Sequence, residues 1–250
     1  MKRIEIRRFA PLSYAGQEAI NTLCTNLSFS GANMKRIMIT SSHASEGKSF
    51  LTMNIMRTMA QYGKRVVLVD ADLRRSYITS RYGLRFEDEQ SKWGLAHLLA
   101  GMTDKSNVIY STNTSGAYIV PIGREVSNPL PLLNTDHFGE LLSYLAAHFD
   151  YVLVDAPPVG LVIDAAEIAK SCDGTLIAVN YNAVRRQELI DVKEQIEQTG
   201  CPIIGAVLNK VEFDNYLSRK YYKSYYSHYD KKETDGKRGK TKTNNKVAKK

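Results

Sequence analysis

Short runs of apolar, mostly β-branched residues alternate along this chain with longer segments whose apolar positions recur at helical spacing. The strand-like runs are residues 36–41, 66–69, 118–120, 151–154, 175–179 and 203–208. Because all but the first of these runs are apolar at nearly every position, the set is typical of parallel strands that are buried on both faces. Their alternation with helical segments indicates βαβ units. The pattern therefore predicts an α/β fold in which a parallel β-sheet is flanked by helices on both faces.

Helical periodicity is present in five segments: residues 14–28, 49–62, 136–148, 164–171 and 185–199. Two of them are followed by a glycine, Gly63 and Gly200, which accepts the left-handed conformation at which many helices end. The first segment precedes the first strand, so we expect it to form an added N-terminal arm. From residue 230 onward the chain has almost nothing to bury, and this composition predicts a disordered C-terminal tail.

The composition of the 250 residues, 43% hydrophobic and 24% charged, is that of a globular chain. It excludes a wholly disordered protein, a collagen and a small disulfide-stabilised domain. No apolar run approaches the roughly 18 to 20 residues that cross a bilayer, and the basic start lacks the apolar stretch of a secretion signal. We therefore expect a cytoplasmic protein. The widely separated cysteines Cys24, Cys172 and Cys201 predict reduced, half-buried thiols rather than a zinc site or a disulfide framework.

The net charge of +8 is confined to one end of the chain. Residues 1–213 carry 22 basic and 22 acidic side chains, whereas residues 214–250 carry 12 basic and 4 acidic ones. A neutral body argues against a folded nucleic-acid-binding face, so we expect no specific nucleic-acid partner. The cationic tail could still contact phosphates or an anionic membrane surface.

The first predicted strand of the sheet leads into the loop Ser42-His-Ala-Ser-Glu-Gly47-Lys48-Ser49 and then into a predicted helix. This is the context that a phosphate-binding P-loop requires. Backbone N–H groups of such a loop point at an anion, Lys48 can bridge the β- and γ-phosphates, and the Ser49 hydroxyl can bind Mg²⁺. Because Ser42 replaces the first glycine of the general pattern, an ordinary strand-to-helix turn remains the alternative for the loop alone.

Two further segments place carboxylates at the carboxyl ends of strands, where ligands bind in open parallel sheets. One strand ends in Asp70-Ala-Asp72, and two aspartates at this spacing project to the same side of an extended chain and could share one hydrated Mg²⁺. The other strand ends in Asp155 before two prolines, which is the Walker B arrangement. A single terminal aspartate is more often a cap or turn residue. The three motifs together predict a P-loop NTPase-like nucleotide site.

In these motifs the chain resembles the bacterial tyrosine kinases, or BY-kinases, and in particular the cytoplasmic kinase domain of Gram-positive capsule and exopolysaccharide loci. The segments that carry the resemblance are 40–49 (Walker A), 66–74 (Walker A′, ending Asp-x-Asp-x-Arg) and 152–158 (Walker B, ending Asp-x-Pro-Pro). The resemblance covers residues 11–230. The regions that we expect are an N-terminal arm and helix (1–30), a P-loop kinase domain (31–213) and a flexible, basic, tyrosine-rich tail (214–250).

The resemblance implies a site for ATP and Mg²⁺. Its catalytic residues would be Lys48, Asp70 and Asp72, with one of the two aspartates as the base. The nucleotide-binding residues would be Ser45, Glu46, Gly47, Lys48, Ser49, Phe50 and Asn209, and the metal-binding residues would be Ser49, Asp70, Asp72 and Asp155. The family places an asparagine such as Asn209 against adenine, whereas the residue by itself is equally well explained as a turn residue.

The chain departs from the family pattern at three places. Ala44 and Ser45 replace the usual proline and glycine, and we expect an effect on loop rigidity or ATP affinity. In the N-terminal helix the motif of Glu followed at three-residue steps by two arginines reads Glu18, Asn21 and Cys24. Neither Asn nor Cys reproduces the bidentate contacts of a guanidinium group, which weighs against the family's ring-shaped oligomer. His43 stands where positioning ATPases carry a signature lysine, which weighs against that family.

Six of the fifteen tyrosines fall in one short stretch: Tyr216, Tyr221, Tyr222, Tyr225, Tyr226 and Tyr229. They could pack a final amphipathic helix or form an aromatic and basic nucleic-acid-binding arm. Their polar neighbours and the charge run that follows disfavour burial. Together with the kinase motifs, the cluster predicts phosphoacceptors that enter the active site of another copy.

The predicted function is that of an ATP-dependent protein-tyrosine autokinase that regulates capsular or exopolysaccharide biosynthesis and export. The resemblance implies self-association in trans, a cognate tyrosine phosphatase and a separate transmembrane activator of the polysaccharide co-polymerase type. That activator would hold the protein at the inner face of the cell membrane. The alternatives are a nucleotide-switched positioning ATPase with a DNA- or membrane-binding tail, and a catalytically silent regulator.

Overall fold

The computed structural model describes residues 2–31, 33–88 and 92–211. The chain divides into a compact unit, residues 1–209, and a second unit, residues 210–250, of which only residues 210 and 211 are described. The predicted phosphoacceptor tyrosines and the predicted disordered tail therefore lie outside the described residues.

The centre of the first unit is a seven-stranded sheet with a separate two-stranded sheet beside it. The strands are β1 (Ile4–Ile6), β2 (Arg36–Ser41), β3 (Val66–Asp70), β4 (Leu84–Phe86), β5 (Tyr110–Ser111), β6 (Ala117–Val120), β7 (Tyr151–Asp155), β8 (Gly174–Asn180) and β9 (Ile203–Asn209). The large sheet has the order β5-β6-β3-β7-β2-β8-β9, and β1 pairs with β4. All neighbours in the large sheet are parallel except β5 and β6. The predicted parallel α/β sheet is confirmed, with one antiparallel strand added at its edge.

Helices cover both faces of this sheet, as the sequence predicts. They are α1 (Tyr14–Phe29), α2 (Lys48–Gln61), α3 (Ile78–Tyr82), α4 (Leu95–Leu99), α5 (Lys105–Val108), α6 (Leu130–Leu133), α7 (Asp136–His148), α8 (Asp164–Ala169) and α9 (Arg186–Glu197). Side chains of β3 alternate between two apolar clusters, with Val67 and Val69 in one and Val66 and Leu68 in the other. The first cluster includes buried residues of α4, α7, α8 and α9, and the second includes those of α1, α2 and α3.

The helix predicted in the N-terminal arm forms α1, which packs within the compact unit. It buries Ile20, Cys24 and Leu27 in the same apolar cluster as the inward face of α2. All three cysteines are free, and all three are buried rather than half-buried as the sequence suggests. The Cys24 side chain of α1 faces α2, and its thiol approaches the Ile55 carbonyl oxygen of that helix. Among the described residues, no helix is long and apolar enough to span a bilayer.

The topology brings three of the sequence motifs to one edge of the sheet. Strands β3 and β7 are hydrogen-bonded neighbours, and their register places Asp70 directly opposite Asp155. Strand β2 pairs with the other side of β7 and continues into the loop before α2. The carboxyl ends of parallel strands form the ligand-binding edge of such sheets, so the candidate site lies where these three strands end.

Candidate active site

The loop between β2 and α2 has the backbone shape of a phosphate-binding loop. Gly47 caps α2 with φ of +98°, and Ser45 also has a positive φ of +64°. A Cβ at position 47 would overlap the side-chain amide nitrogen of Asn209, so the loop requires glycine there for two separate reasons. The α2 N-terminus provides unpaired backbone N–H groups and a favourable dipole for an anion.

Buried polar groups hold this loop in place from behind. The Glu46 carboxylate is only 2% exposed and accepts hydrogen bonds from the backbone N–H groups of His43 at 2.9 Å and Asn180 at 3.4 Å. The Asn209 amide donates to the Glu46 carbonyl oxygen at 2.9 Å. These contacts give Glu46 and Asn209 a structural role in the loop. The contacts with nucleotide that the sequence analysis expects for Glu46 and Asn209 stay predictions.

The other residues predicted to bind nucleotide occupy different surroundings. Lys48 is 8% exposed in the first turn of α2, and its positive charge lowers the pKa values of both Asp72 and Asp155, opposing the larger effect of their burial. Ser45 is exposed in the loop. Phe50 lines a separate cleft that also contains Tyr82. The structure therefore places Lys48 beside the carboxylates and leaves Phe50 to one side of the loop.

Asp155 is tied to the start of α2 by hydroxyl groups. The Ser49 hydroxyl donates to one carboxylate oxygen at 2.6 Å, and the Thr52 hydroxyl donates to the other at 3.3 Å. Burial raises the pKa of Asp155 to about 6, although Lys48 and the Ser49 hydrogen bond act in the opposite direction. A bound cation would favour the ionised carboxylate and offset the cost of burying it.

Asp70 is buried beside Asp155 and has an unsatisfied oxygen atom. Its Oδ2 accepts a hydrogen bond from the Ser76 hydroxyl, while its Oδ1 has no hydrogen-bond partner within the described part of the protein. Burial raises the pKa of Asp70 well above its ordinary value, and the Asp155 charge raises it further. An orphaned buried carboxylate oxygen is rare in proteins and is explained where a cation or water completes the site.

Asp72 lies just beyond the end of β3 and is more accessible than Asp70. It is of intermediate burial, and its carboxylate accepts a hydrogen bond from the Arg75 backbone N–H at 3.3 Å. Burial raises its pKa, while Lys48 lowers it. The three aspartates thus differ in environment, since two are buried and the third is open to an incoming group.

The residues present fit a magnesium ion bound together with nucleotide phosphates. Among the described residues, no group of three or more His, Cys, Asp or Glu side chains is assembled as a metal-binding cluster. Mg²⁺ in nucleotide sites is commonly bound by one or two carboxylates, several waters and phosphate oxygens. The Asp70 and Asp155 carboxylates together with the Ser49 hydroxyl match that donor set, and the unpartnered Asp70 oxygen fits a cation ligand.

The sequence analysis missed an ion pair, buried on its Asp164 side only, that helps to hold the segment after β3. The Arg74 guanidinium contacts both carboxylate oxygens of Asp164, which is 1% exposed at the start of α8. Arg74 also donates to the Ser127 carbonyl oxygen at 3.0 Å. The arginine of the Walker A′ pattern is visible in the sequence, but its partner, 90 positions away, has no local signal.

Comparison with known proteins gives concordant results. A family model described as an AAA domain matches residues 34–201. The tyrosine-protein kinase CpsD of Streptococcus pneumoniae is 34% identical over 84% of this chain and 91% of its own length. The tyrosine-protein kinase ptk of Acinetobacter johnsonii is 33% identical over 78% of this chain, but the match spans only 26% of the relative. The kinase domain of the Escherichia coli tyrosine kinase ETK superposes with a TM-score of 0.71 at 30% identity, covering 79% of this chain and 78% of that domain.

More distant structural neighbours share the fold alone. The septum site-determining protein MinD of Pyrococcus horikoshii has a TM-score of 0.59 at 24% identity, covering 75% of this chain and 77% of that structure. Its likeness is weaker than that of the kinase domain in both superposition and sequence. The comparisons therefore favour the kinase prediction over the alternative of a positioning ATPase.

Proposed function

We propose the following function for this chain, which belongs to the family of bacterial tyrosine-protein kinases: it transfers the γ-phosphoryl group of ATP to tyrosines of its own C-terminal segment. The observation that carries this proposal is the pair of buried carboxylates, Asp70 and Asp155, beside Lys48 and the P-loop. One of these carboxylates is hydrogen-bonded to the Ser49 hydroxyl and the other has an unpartnered oxygen. Such a pair is costly to bury unless a ligand uses it.

Each residue of the site then has a distinct part in the reaction. The P-loop backbone and Lys48 bind the triphosphate and reduce repulsion as charge develops on the transferring group. Ser49, Asp70 and Asp155 would hold Mg²⁺, which would neutralise phosphate charge and orient the terminal phosphate. Because Asp70 is buried and Asp72 is accessible, we assign the metal to Asp70 and the acceptor side to Asp72.

The chemical step forms a bond between a tyrosine oxygen and the γ-phosphorus and breaks the bond from that phosphorus to the bridging oxygen of ADP. A free phenol has a pKa of about 10 and is almost fully protonated at neutral pH. Asp72 orients this phenol and accepts its proton as the new bond forms. The products are ADP, a phosphotyrosine and a proton that passes to solvent through Asp72.

The proposed acceptors are the six tyrosines of the C-terminal cluster: Tyr216, Tyr221, Tyr222, Tyr225, Tyr226 and Tyr229. They lie among basic residues outside the described part of the chain. We propose that each copy modifies a second copy. Cys24, at one position of the family's N-terminal motif, is buried against α2, and Asn21 is engaged with Glu18 at 3.0 Å. These contacts favour transient self-association over the family's ring.

The length of the relatives supports a proposal for the regulatory partners. This chain spans nearly all of CpsD but about a quarter of ptk. We infer that a separate transmembrane activator supplies what the longer relative carries in one chain and recruits this protein to the inner face of the membrane. The process controlled would be capsular or exopolysaccharide production, with a cognate phosphatase that reverses the modification.

The direct test maps phosphorylation by mass spectrometry after incubation with Mg·ATP and the activator's cytoplasmic segment. Wild-type protein is expected to acquire phosphate on residues 216–229, and Lys48→Met is expected to acquire none. The matched control is Lys64→Met, which removes an exposed lysine after α2 and should leave the modification intact. ATP hydrolysis by the wild type without any phosphotyrosine would contradict the proposal and support the positioning ATPase.

A further inference from the structure

A cleft of about 420 Å³ opens beside the first turns of α2, outside the site described above. Its walls combine arginines and aromatic rings. The lining residues that matter are Arg7, Arg8, Arg81, Phe9, Phe50 and Tyr82. No part of the phosphoryl-transfer mechanism uses these arginines.

Specific contacts build this cleft. The backbone N–H groups of Arg7 and Arg8 both donate to the Tyr82 carbonyl oxygen, at 3.2 and 2.9 Å. The Phe9 and Tyr82 rings lie 5.4 Å apart, and the Arg57 guanidinium lies 4.6 Å above the centre of the Phe9 ring. The segment that precedes α1 is therefore anchored to the end of α3, and its side chains are held at the cleft.

Among the described residues, two of the arginines have no carboxylate partner. Arg7 is paired with Glu5 at 3.1 Å. Over the ranges that the structure describes, no carboxylate lies within ion-pair distance of Arg8 or Arg81. The Arg8 guanidinium donates to the Ser80 carbonyl oxygen at 3.5 Å. The cleft therefore has an uncompensated positive charge next to aromatic surface, which favours a ligand that is both anionic and aromatic.

The cleft adjoins the first turns of α2, where the phosphoryl-transfer site also lies. Phe50 lines the cleft and directly follows Ser49, whose hydroxyl contacts Asp155. The cleft and the candidate active site therefore share the first turn of this helix.

We propose that this cleft binds a phosphotyrosine side chain from the segment 216–229 of a second copy of the chain. The inference rests on the proposed function, since it concerns the product of that reaction. Guanidinium groups bind phosphate through two parallel hydrogen bonds, and an aromatic wall with a nearby cation accommodates the phenyl ring. A phosphorylated tyrosine would then hold the segment while a neighbouring tyrosine of the same segment occupies the acceptor position.

The charge of the segment makes this binding selective for the modified form. Residues 214–250 carry a net charge of +8, so the unmodified segment is repelled by the arginines of the cleft. Each phosphate adds about −1.5 to −2 charges at pH 7. The first phosphate leaves the segment cationic overall but supplies a dianionic group that the arginines of the cleft can bind directly. Later phosphorylations are therefore expected to be faster than the first.

The binding test uses the full-length protein after phosphatase treatment and fluorescent synthetic peptides of residues 216–229 with tyrosine or phosphotyrosine at position 225. The phosphopeptide is expected to bind at least ten-fold more tightly than the unmodified peptide. Arg8→Ala and Arg81→Ala are each expected to weaken its binding at least five-fold. The matched control is Arg85→Ala, which removes an exposed arginine of β4 that lines a different cavity. Equal binding of the two peptides, or equal effects of all three substitutions, would overturn the proposal.

A competition experiment on the wild type keeps the proposal testable if a variant fails to fold. Phenyl phosphate is expected to displace the phosphopeptide at a concentration at least five-fold lower than inorganic phosphate, because only the former fills the aromatic wall. Equal potency would exclude an aryl phosphate site. Since the peptides are synthesised chemically, these measurements do not require kinase activity. Failure of the cleft is therefore distinguishable from failure of the proposed function.

Discussion

Asp70 and Asp155 are buried carboxyl groups that the proposed chemistry uses, and burying their charged forms lowers the stability of the fold. Both carboxyl groups are buried, and burial raises both pKa values. The folded protein without ligand therefore retains protons that the unfolded chain releases at a pKa near 3.9. The contribution of these retained protons to the free energy of unfolding is fully present below the pKa of the unfolded chain. It is lost as the pH rises through the pKa of the folded protein, which is about 6 for Asp155.

Asp155→Asn is therefore expected to stabilise the nucleotide-free protein at pH 8 while abolishing autophosphorylation. The substitution removes a buried charge, and we expect a gain of about 2 kcal/mol at pH 8 and almost none at pH 4. Denaturant unfolding at the two pH values measures this difference.

The matched control for this prediction is Asp173→Asn. Asp173 accepts hydrogen bonds from the Arg36 side chain and backbone, and although its partial burial acts in the opposite direction, these contacts lower its pKa overall. Its stabilising effect is present above the unfolded pKa and is lost as the pH falls through the folded value. Asp173→Asn should therefore destabilise the protein at pH 8. A loss of stability in both variants at pH 8 would refute the claim that the buried charge of Asp155 destabilises the folded protein.

Gly47→Ala is expected to abolish nucleotide binding and leave the sheet folded. Its Cβ would overlap the Asn209 amide, and its φ of +98° is unfavourable for alanine. The control is Gly63→Ala, which has a similar φ of +79° but no atom within 4 Å of the added Cβ. We expect the control to lose only about 1 kcal/mol of stability and to keep its affinity for nucleotide. Titration with a fluorescent ATP analogue separates the two, and equal affinities would show that the loop tolerates a side chain.

The residues of the site were predictable to different degrees. Motif spacing and the rule for strand ends act locally, and they were sufficient to predict that Lys48, Ser49, Asp70 and Asp155 lie close together. The structural role of Glu46 could not be predicted, because its carboxylate accepts hydrogen bonds from the loop itself and from β8. Both contacts exist only once the tertiary fold has formed. The sequence shows which atoms are available, whereas the tertiary fold decides which of them face the ligand.

At the scale of elements, an ion pair helps to hold the connection after β3. Arg74 joins this connection to the start of α8 and to the Ser127 carbonyl oxygen. Asp164, its partner, is almost fully buried, whereas the Arg74 side chain is 36% exposed. Removing Arg74 would leave the buried Asp164 charge uncompensated, so we expect this contact to contribute to how firmly the Asp72 segment is held.

Arg74→Ala is expected to destabilise the protein by about 2 kcal/mol, less than for a fully buried pair because Arg74 is partly solvated. Autophosphorylation should slow several-fold because the Asp72 segment loosens. The control is Arg75→Ala, which removes an exposed side chain that lies over the Tyr77 ring and retains the backbone hydrogen bond to Asp72. Thermal unfolding and initial rates measure both effects. Identical behaviour of the two variants would show that the ion pair has no positioning role.

The elements themselves were largely predictable. All six predicted strands of the large sheet and all five predicted helices are present, because each strand stands out as an apolar run and each helix is long enough to show its period. Strands β1, β4 and β5 have only two or three residues each, and each contains a polar residue, so none forms an apolar run. The pairing of β1 with β4 joins distant parts of the chain, and no local pattern encodes it.

At the scale of the whole molecule, the distribution of charge predicts a switch. The excess charge of +8 is confined to residues 214–250, and five or six phosphates would bring it to about zero or below. Full phosphorylation is expected to weaken salt-sensitive binding to an anionic membrane. Co-sedimentation with vesicles of anionic lipid at low and high salt measures this change. Unchanged vesicle binding after full modification would contradict it.

The most direct test of the central claim separates the catalytic site from the acceptors. One chain carries Lys48→Met and intact tyrosines, and the other is catalytically intact but has all six cluster tyrosines replaced by phenylalanine. Mass spectrometry of the mixture with Mg·ATP and the activator segment is expected to find phosphotyrosine in residues 216–229 of the Lys48→Met chain, and none when either chain is incubated alone. Phosphate on the Lys48→Met chain alone, or none in the mixture, would contradict a single site that modifies this segment in trans.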